Sequence, residues 1–217
     1  MKILITAGPT QEAVDPVRYL TNRSSGKMGY ALAAAAAKRG HRVLLISGPT
    51  ALDLPEGVDF LPVVSAADMY QAVESQLDKQ DIAIFAAAVA DYTPAHVADH
   101  KIKKDGDQLT LVLEKTKDIL GSARSVMNFS GALVGFAAET ENLEDNARGK
   151  LQRKGCDLVV GNDVSRKDIG FDSSENEVLL VYPDRTESLP KDNKDHLAYH
   201  LIELIEDLAP NPATGQS

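Results

Sequence analysis

Cysteine is nearly missing from this chain: Cys156 is the only one among 217 residues. No intrachain disulfide can form, and a reducing compartment is expected. The thiol stands beside the apolar run Leu158, Val159, Val160, where a small core residue fits better than a reactive one. Long apolar runs are missing too. The opening MKILITAG is too short for a signal peptide, and no stretch approaches the ~20 apolar residues of a membrane span. A cytoplasmic protein with no membrane partner is expected. Positive charge is in deficit, 23 Lys and Arg against 32 Asp and Glu, for a net charge of −9. That balance opposes binding to nucleic acid along its phosphate backbone. It leaves room for a small anion, provided the few cations and backbone N–H groups are gathered in one place.

Familiar chemical signatures are also absent. Neither G-x-G-x-x-G nor the phosphate-binding G-x-x-x-x-G-K-[ST] occurs, and no Ser sits in a G-x-S-x-G elbow. His96 and His100, like His196 and His200, have i, i+4 spacing but lack the Glu of a zinc protease motif. Exposed histidines account for both pairs.

What is present is an ordinary globular composition, 43% hydrophobic and 25% charged, arranged as short apolar runs alternating with helical stretches. Strands are expected at Lys2–Thr6, Arg42–Ser47, Val58–Val64, Asp81–Ala88, Val134–Ala137, Asp157–Gly161 and Val178–Tyr182. Helices are expected at Gly26–Arg39, from the Ser65 cap through Leu77, at Leu143–Lys154 and near Lys194–Leu208. The alternation predicts an α/β fold, a doubly wound, Rossmann-like, mainly parallel sheet. Residues 92–118 break the pattern. They read as an excursion, a mobile flap followed by a strand at Gln108–Glu114 that either edges the sheet or pairs with another chain. Residues 1–208 read as one domain, and 209–217 as a disordered tail.

Ligands of open α/β sheets sit beyond the carboxyl ends of the strands, and several such ends are unusual here. The first is followed by GPTQEAVDPVRYLTNRSSGKMG, Gly8 to Gly29. Its Ser24, Ser25, Gly26 and Gly29 run into a helix start, which is either an anion site or a plain cap. Arg18 and Asn22 lie in the same loop, as ligand-binding groups or as a surface Arg and a turn Asn. The fourth strand exits through Ala86, Ala87 and Ala88 to Asp91, which either holds Mg²⁺ or a ligand hydroxyl, or starts a turn. KIKK (101–104) is either a solvated strip or a flap that closes on negative charge. Phe136 either stacks on a base or fills the core. Lys150 and Lys154 share one helix face, to reach phosphate or merely to solvate that face. Asn162 and Asp163 follow the next strand, again at a carboxyl end, a good place to read a base or ribose.

Together DPVRYLTNRSSGKMG (15–29), AAAVADY (86–92), KIKK (101–104), GFAAET (135–140) and NDV (162–164) resemble the phosphopantothenoylcysteine synthetase family, the second half of the bifunctional bacterial flavoprotein of coenzyme A synthesis. The resemblance covers about 160 residues. It implies a ligase: a nucleoside triphosphate, CTP or ATP with CTP favoured, activates the carboxylate of 4′-phosphopantothenate, and the amine of cysteine captures it. It implies Mg²⁺ as cofactor and, without the preceding decarboxylase half, a free-standing form with no flavin. It assigns Gly8, Ser24, Gly26 and Gly29 to the phosphate pocket. Arg18 and Asn22 bind phosphopantothenate and the acyl intermediate, with Arg18 from either subunit. Ala87, Ala88 and Asp91 lie where substrate and nucleotide meet. Lys101 acts from the flap in the cysteine-joining half, making Asn22, Lys101 and Arg18 the catalytic set. Asp118, Phe136, Lys150, Lys154 and Asn162 complete the nucleotide site. The segment EKTKDIL departs from the K-N-x-D-like pattern of the family around Lys115–Lys117. The resemblance also implies a homodimer, and the 108–114 strand is the segment expected to pair across the two-fold.

Two rivals make different demands. An NAD(P)-dependent reductase needs a glycine fingerprint after the first strand and an acid closing the second, which here ends Ser47-Gly48. A non-catalytic nucleotide sensor needs no lysine flap.

Overall fold

The computed structural model describes residues 1–104, 106–163 and 175–209. In chain order the elements are β1 (Lys2–Ala7), β2 (Gln11–Ala13), β3 (Tyr19–Thr21), α1 (Lys27–Lys38), β4 (Arg42–Ser47), β5 (Val58–Pro62), α2 (Ala66–Gln76), β6 (Ile82–Phe85), β7 (Tyr92–Pro94), β8 (Leu113–Lys115), α3 (Ile119–Ser125), β9 (Ala132–Glu139), α4 (Leu143–Lys154), β10 (Leu158–Asp163), β11 (Glu175–Val181), β12 (Thr186–Asn193) and α5 (Lys194–Glu206).

Eight strands form one sheet in the order β12-β11-β10-β9-β6-β1-β4-β5. Pairing is parallel from β5 through β10, and β11 runs antiparallel to both its neighbours. The chain moves outward through β4 and β5, then returns to the other side of β1 as β6. The β1/β6 junction is therefore the point where the winding reverses, and a crevice opens beyond the carboxyl ends of those two strands.

Alternate residues of each strand feed two cores. Ile3 and Ile5 join Leu32, Ala36, Leu201 and Ile205 under α1 and α5. Leu4 joins Met69, Val73, Leu120 and Leu151 under α2, α3 and α4. Every residue of β6 is buried, as expected of a strand covered on both faces. The Ala-rich face of α1 lets it lie close to β1, closest at Gly29, where an added Cβ would stand 2.5 Å from Ala7 Cβ. Cys156 is a buried member of the second core; burial pushes its thiol up to about 12, so it stays protonated. Arg39 ties α1 to α5 through Glu203 and Glu206.

Three expectations need correction. The run Asp81–Ala88 is strand only over Ile82–Phe85: beyond it Ala86 and Ala87 still donate to Thr6 of β1, and Ala88 forms an isolated bridge with Pro9 at the crevice. Gln108–Glu114 is not a strand. Only Leu113–Lys115 is extended and paired, and its partner is β7 of the same chain, outside the main sheet. The alternation at 108–112 has no core to face: Leu109 and Val112 are 56% and 72% exposed. α3, β12 and the β2–β3 hairpin form where no element was expected. The tail assigned to 209–217 lies outside the described residues from 210 onward, as does Val164 of the NDV motif.

Candidate active site

Two adjoining cavities occupy the crevice. One, of about 500 Å³, is lined by Ala87, Asp91, Lys115–Leu120, Phe136, Lys150 and Lys154 among others. The other, of about 380 Å³, is lined by Asn22–Gly29, Ala86–Val89, Asp91, Phe136–Ala138, Lys150, Asn162, Asn176 and Lys194. Ala87, Val89, Asp91, Phe136 and Lys150 belong to both. The four residues Asn22, Asp91, Phe136 and Asn162, from four separate segments, thus share one cavity.

In a chain of net charge −9, the charge balance of these walls is reversed. The larger cavity shows Lys115, Lys117, Lys150 and Lys154 against Asp91 and Asp118. The smaller shows Arg23, Lys27, Lys150 and Lys194 against Asp91. Clefts lined by one sign of charge concentrate ligands of the other, so these cavities are built for an anion.

The start of α1 serves the same end. Its N-cap is Gly26, left-handed at φ 76°, and no side-chain bond caps the helix. Ser24 Oγ accepts instead from Gly26 N at 3.3 Å. An uncapped helix start on a cavity wall offers backbone N–H groups and a dipole to an anion. Gly8, also left-handed at φ 68°, does not line either cavity. It lies behind the wall, where a Cβ on Gly26 would come 3.3 Å from Gly8 Cα.

Asn22 donates from its amide nitrogen to the carbonyls of Ala88 and Val89, each at 3.1 Å, and so fixes the alanine exit of β6. Lys150 is half-buried, and its ammonium donates to the Phe136 carbonyl. Burial lowers its pKa, with Lys154 pushing the same way. Phe136 packs on the α1/α5 core and still faces both cavities. Asp118 caps α3 by accepting from Gly121 N at 2.9 Å and pairs with Lys154. Desolvation pushes its carboxyl up, but Lys154, the Gly121 N–H and Lys150 together hold it below the usual range.

Arg18 and Lys101 are not in either cavity. Both line a third hollow of about 760 Å³ with Ile102–Lys104 and Gly106–Leu109. Arg18 is held there by Asp15, at 2.6 and 3.0 Å, and by the Ile102 carbonyl at 2.9 Å. Asp15, which the sequence reading passed over, also accepts from the N–H groups of Val17, Arg18 and Ile102. Its side chain is buried, and the Arg18 guanidinium keeps its carboxyl well below the usual range. The KIKK segment is thus anchored to the loop that leads to Asn22.

No group of three or more acidic, His or Cys side chains suited to a metal occurs among the described residues. A magnesium ion bound mainly through water and phosphate oxygens needs only one or two carboxylates, and Asp91, on the wall of both cavities, meets that requirement. No helix among the described residues is long and apolar enough to cross a membrane.

Residues 1–208 match the family model described as the DNA/pantothenate metabolism flavoprotein C-terminal domain. The chain belongs to this family. It is 47% identical over 208 residues to the coenzyme A biosynthesis bifunctional protein CoaBC of Vibrio parahaemolyticus, covering 95% of this chain and 52% of that one. It is 49% identical over 209 residues to the Bacillus subtilis protein of the same description, covering 95% and 51%. The chain thus spans about half the length of the curated relatives it matches. Among solved structures, the C-terminal domain of a CoaBC protein is 41% identical with a TM-score of 0.80, covering 95% and 94%. A family member from Streptococcus pneumoniae is 26% identical with a TM-score of 0.83, covering 95% and 99%. A Cab2 variant in complex with phosphopantothenate-cysteine, 17% identical at TM-score 0.79, shares the fold.

Arg23, Lys27, Asn176 and Lys194 are wall residues to which sequence reasoning gave no role, and the last two are the hardest to foresee. Both come from the antiparallel end of the sheet, at the start of β11 and of α5. Their position depends on β11 running backwards, which no local motif announces.

Proposed function

We propose that this chain is a phosphopantothenate–cysteine ligase of coenzyme A biosynthesis. The observation that carries the reading is the pair of cation-walled cavities sharing Asp91, Phe136 and Lys150 in a chain whose curated relatives are coenzyme A biosynthesis proteins. Two contiguous anion-binding spaces with a common wall suit two phosphorylated substrates that must meet.

A carboxylate does not react with an amine until one of its oxygens becomes a leaving group. In the proposed first step a carboxylate oxygen of 4′-phosphopantothenate attacks the α-phosphorus of the triphosphate, CTP by preference, and pyrophosphate departs. In the second the cysteine amine attacks the acyl carbon, loses a proton, and expels the nucleoside monophosphate. No protein nucleophile is required, in keeping with a Cys156 thiol held protonated in the core. Alignment alone is able to supply about 7–11 kcal/mol of such a barrier.

The residues divide the work. Ser24, Gly26 and Gly29, at the α1 start, hold phosphate; Gly8 supports them. Asp118, Phe136, Lys150, Lys154 and Asn162 receive the nucleotide, Lys150 and Lys154 countering its charge. Ala87 and Ala88 let the substrates lie against backbone. Asn22, Arg18 and Lys101 act on the acyl intermediate, Lys101 by movement of the 101–104 segment and Arg18 from this subunit or its neighbour. A bound magnesium ion supplies further charge neutralisation to the triphosphate, held on the protein side by Asp91. We assign no flavin to this part of the family. The exposed Leu109, Leu111, Val112 and Leu113 are the surface proposed for the homodimer, and the cytoplasm the proposed location.

The test is incubation with 4′-phosphopantothenate, cysteine, Mg²⁺ and each triphosphate separately. Pyrophosphate and CMP from CTP, in step with amide formation, are expected. Turnover to a diphosphate and inorganic phosphate would overturn the nucleotidyl route, and no turnover with any triphosphate would overturn the ligase reading.

A further inference from the structure

The smaller cavity ends in two carboxamides whose oxygens are unmet. Asn176 is 2% exposed and Asn162 half-buried; the Oδ1 atom of each is buried and has no hydrogen-bond partner among the described residues. Both line the same cavity. A buried acceptor without a donor is costly and uncommon in native proteins, so two on one wall mark a place where a ligand supplies the donors. The backbone around Asn176 is irregular as well: the β11–β12 register shifts between Asn176 and Val178. Bulges of this kind re-aim side chains and occur beside active sites.

The chemistry of the donor follows from the neighbours. Carboxamide oxygens accept from hydroxyl, amide N–H or ammonium groups. Four cations stand on this wall, Arg23, Lys27, Lys150 and Lys194, against the one carboxylate of Asp91. A further ammonium is disfavoured there, which leaves neutral hydroxyl or amide N–H donors. The length of the ligand follows from the sheet. Asn176 on β11 lies three strands from β6, whose Ala86–Val89 exit lines the same cavity as the α1 start. At ~4.8 Å per strand that is roughly 14 Å, too far for a free phosphate to touch both ends.

We infer that Asn176, with Asn162, is the specificity end of the smaller cavity, reading neutral O–H or N–H donors on an elongated organic phosphate whose phosphate lies at the α1 start. This rests on the ligase reading, whose two phosphorylated substrates both carry such donors: the ribose hydroxyls of the triphosphate, or the hydroxyl and amide of the phosphorylated acid.

Calorimetric titration of the full chain separates the sources. The probes are CTP, 2′,3′-dideoxy-CTP and 4′-phosphopantothenate, each against wild type and Asn176→Leu. Loss of one neutral hydrogen bond weakens a ligand about five- to tenfold. If the ribose is the donor, Asn176→Leu loses that factor for CTP, keeps phosphopantothenate affinity, and no longer distinguishes CTP from its dideoxy form. If the acid is the donor, the loss falls on phosphopantothenate alone. Affinities unchanged within about twofold, or lost equally for both ligands, overturn the inference, since an amide that only shapes the cavity gives no such selectivity. Should the leucine variant fail to fold, Asn176→Ser, with a shorter oxygen acceptor, is expected to show the same selective loss, and an unselective result overturns the inference equally. Wild type that binds neither ligand sinks the ligase reading and the inference together. Wild type that binds but does not ligate sinks the reading alone.

Discussion

The amide nitrogen of Asn22 lies 3.1 Å from the carbonyl oxygen of Ala88 and donates to it. The same nitrogen donates to Val89, so the loop after β1 holds the exit of β6 by a side chain. The surface on which the two proposed substrates meet is therefore positioned by Asn22 as well as bordered by it.

Asn22→Asp removes both donors and sets a carboxylate against two carbonyl oxygens. Pyrophosphate release is expected to survive, while amide formation falls by about 100-fold or more, the scale of losing one preorganised donor to an oxyanion. Quantifying pyrophosphate and amide in the same reaction checks this. Product at the wild-type yield would remove Asn22 from the second step.

Lys101 is exposed and lines the outer hollow with Arg18. A role on the acyl intermediate requires its segment to close over the crevice, so its effect should be confined to one half-reaction. Lys101→Gln is expected to slow cysteine capture at least about tenfold more than activation. Equal losses in both halves, measured by rapid quench, would contradict the assignment.

The anchor of that segment is Asp15. Asp15→Asn keeps the shape but gives up the charge that binds Arg18 and the Ile102 N–H. Trypsin cleavage at Lys101–Lys104 is expected to accelerate several-fold, with little change in the melting temperature. Acid should act in the same direction. The folded pKa of Asp15 is depressed, so its contribution is complete above the unfolded carboxylate value of about 3.9 and drains away as the pH falls below it. Cleavage as slow in the variant as in wild type would show that the segment is held by something else.

Much of this arrangement is legible in the chain. β1, β4 and the helices at 66–76 and 143–154 follow from apolar periodicity and from caps such as Ser65, whose hydroxyl accepts from Asp68 N while Asp68 returns the bond. The strand exits carrying Asn22, Asp91, Phe136 and Asn162 are legible as well, because parallel α/β topology collects strand ends at one edge. The outer position of Arg18 and Lys101 was not, since it rests on bonds to the Ile102 backbone from a buried Asp15, 87 residues away in sequence, and from Arg18, 84 residues away. Nor was the contribution of Asn176, which needs the reversal at β11. The alternation of Gln108–Glu114 misled as to a place at the edge of the main sheet, because period-two patterning states which faces differ, not which strand lies alongside.

Gly29 is required by close packing. Its absent Cβ would meet Ala7 Cβ at 2.5 Å and Ala7 Cα at 3.2 Å, and neither neighbour has a flexible end to yield. Gly29→Ala is expected to destabilise by about 1–3 kcal/mol, after the ~1 kcal/mol that Ala gains over Gly in a helix. The same displacement should weaken triphosphate binding, because the α1 start moves with it. Urea unfolding and a nucleotide titration check both, and a variant as stable as wild type would contradict the packing argument.

The central claim is that the acid is activated on the α-phosphorus. 4′-Phosphopantothenate labelled with oxygen-18 in its carboxylate decides it. If that oxygen attacks the α-phosphorus, one label leaves in the nucleoside monophosphate when the amine displaces it, and mass spectrometry finds heavy CMP beside light pyrophosphate. Heavy inorganic phosphate with unlabelled nucleotide would contradict the account, because it places the activated bond on the γ-phosphorus.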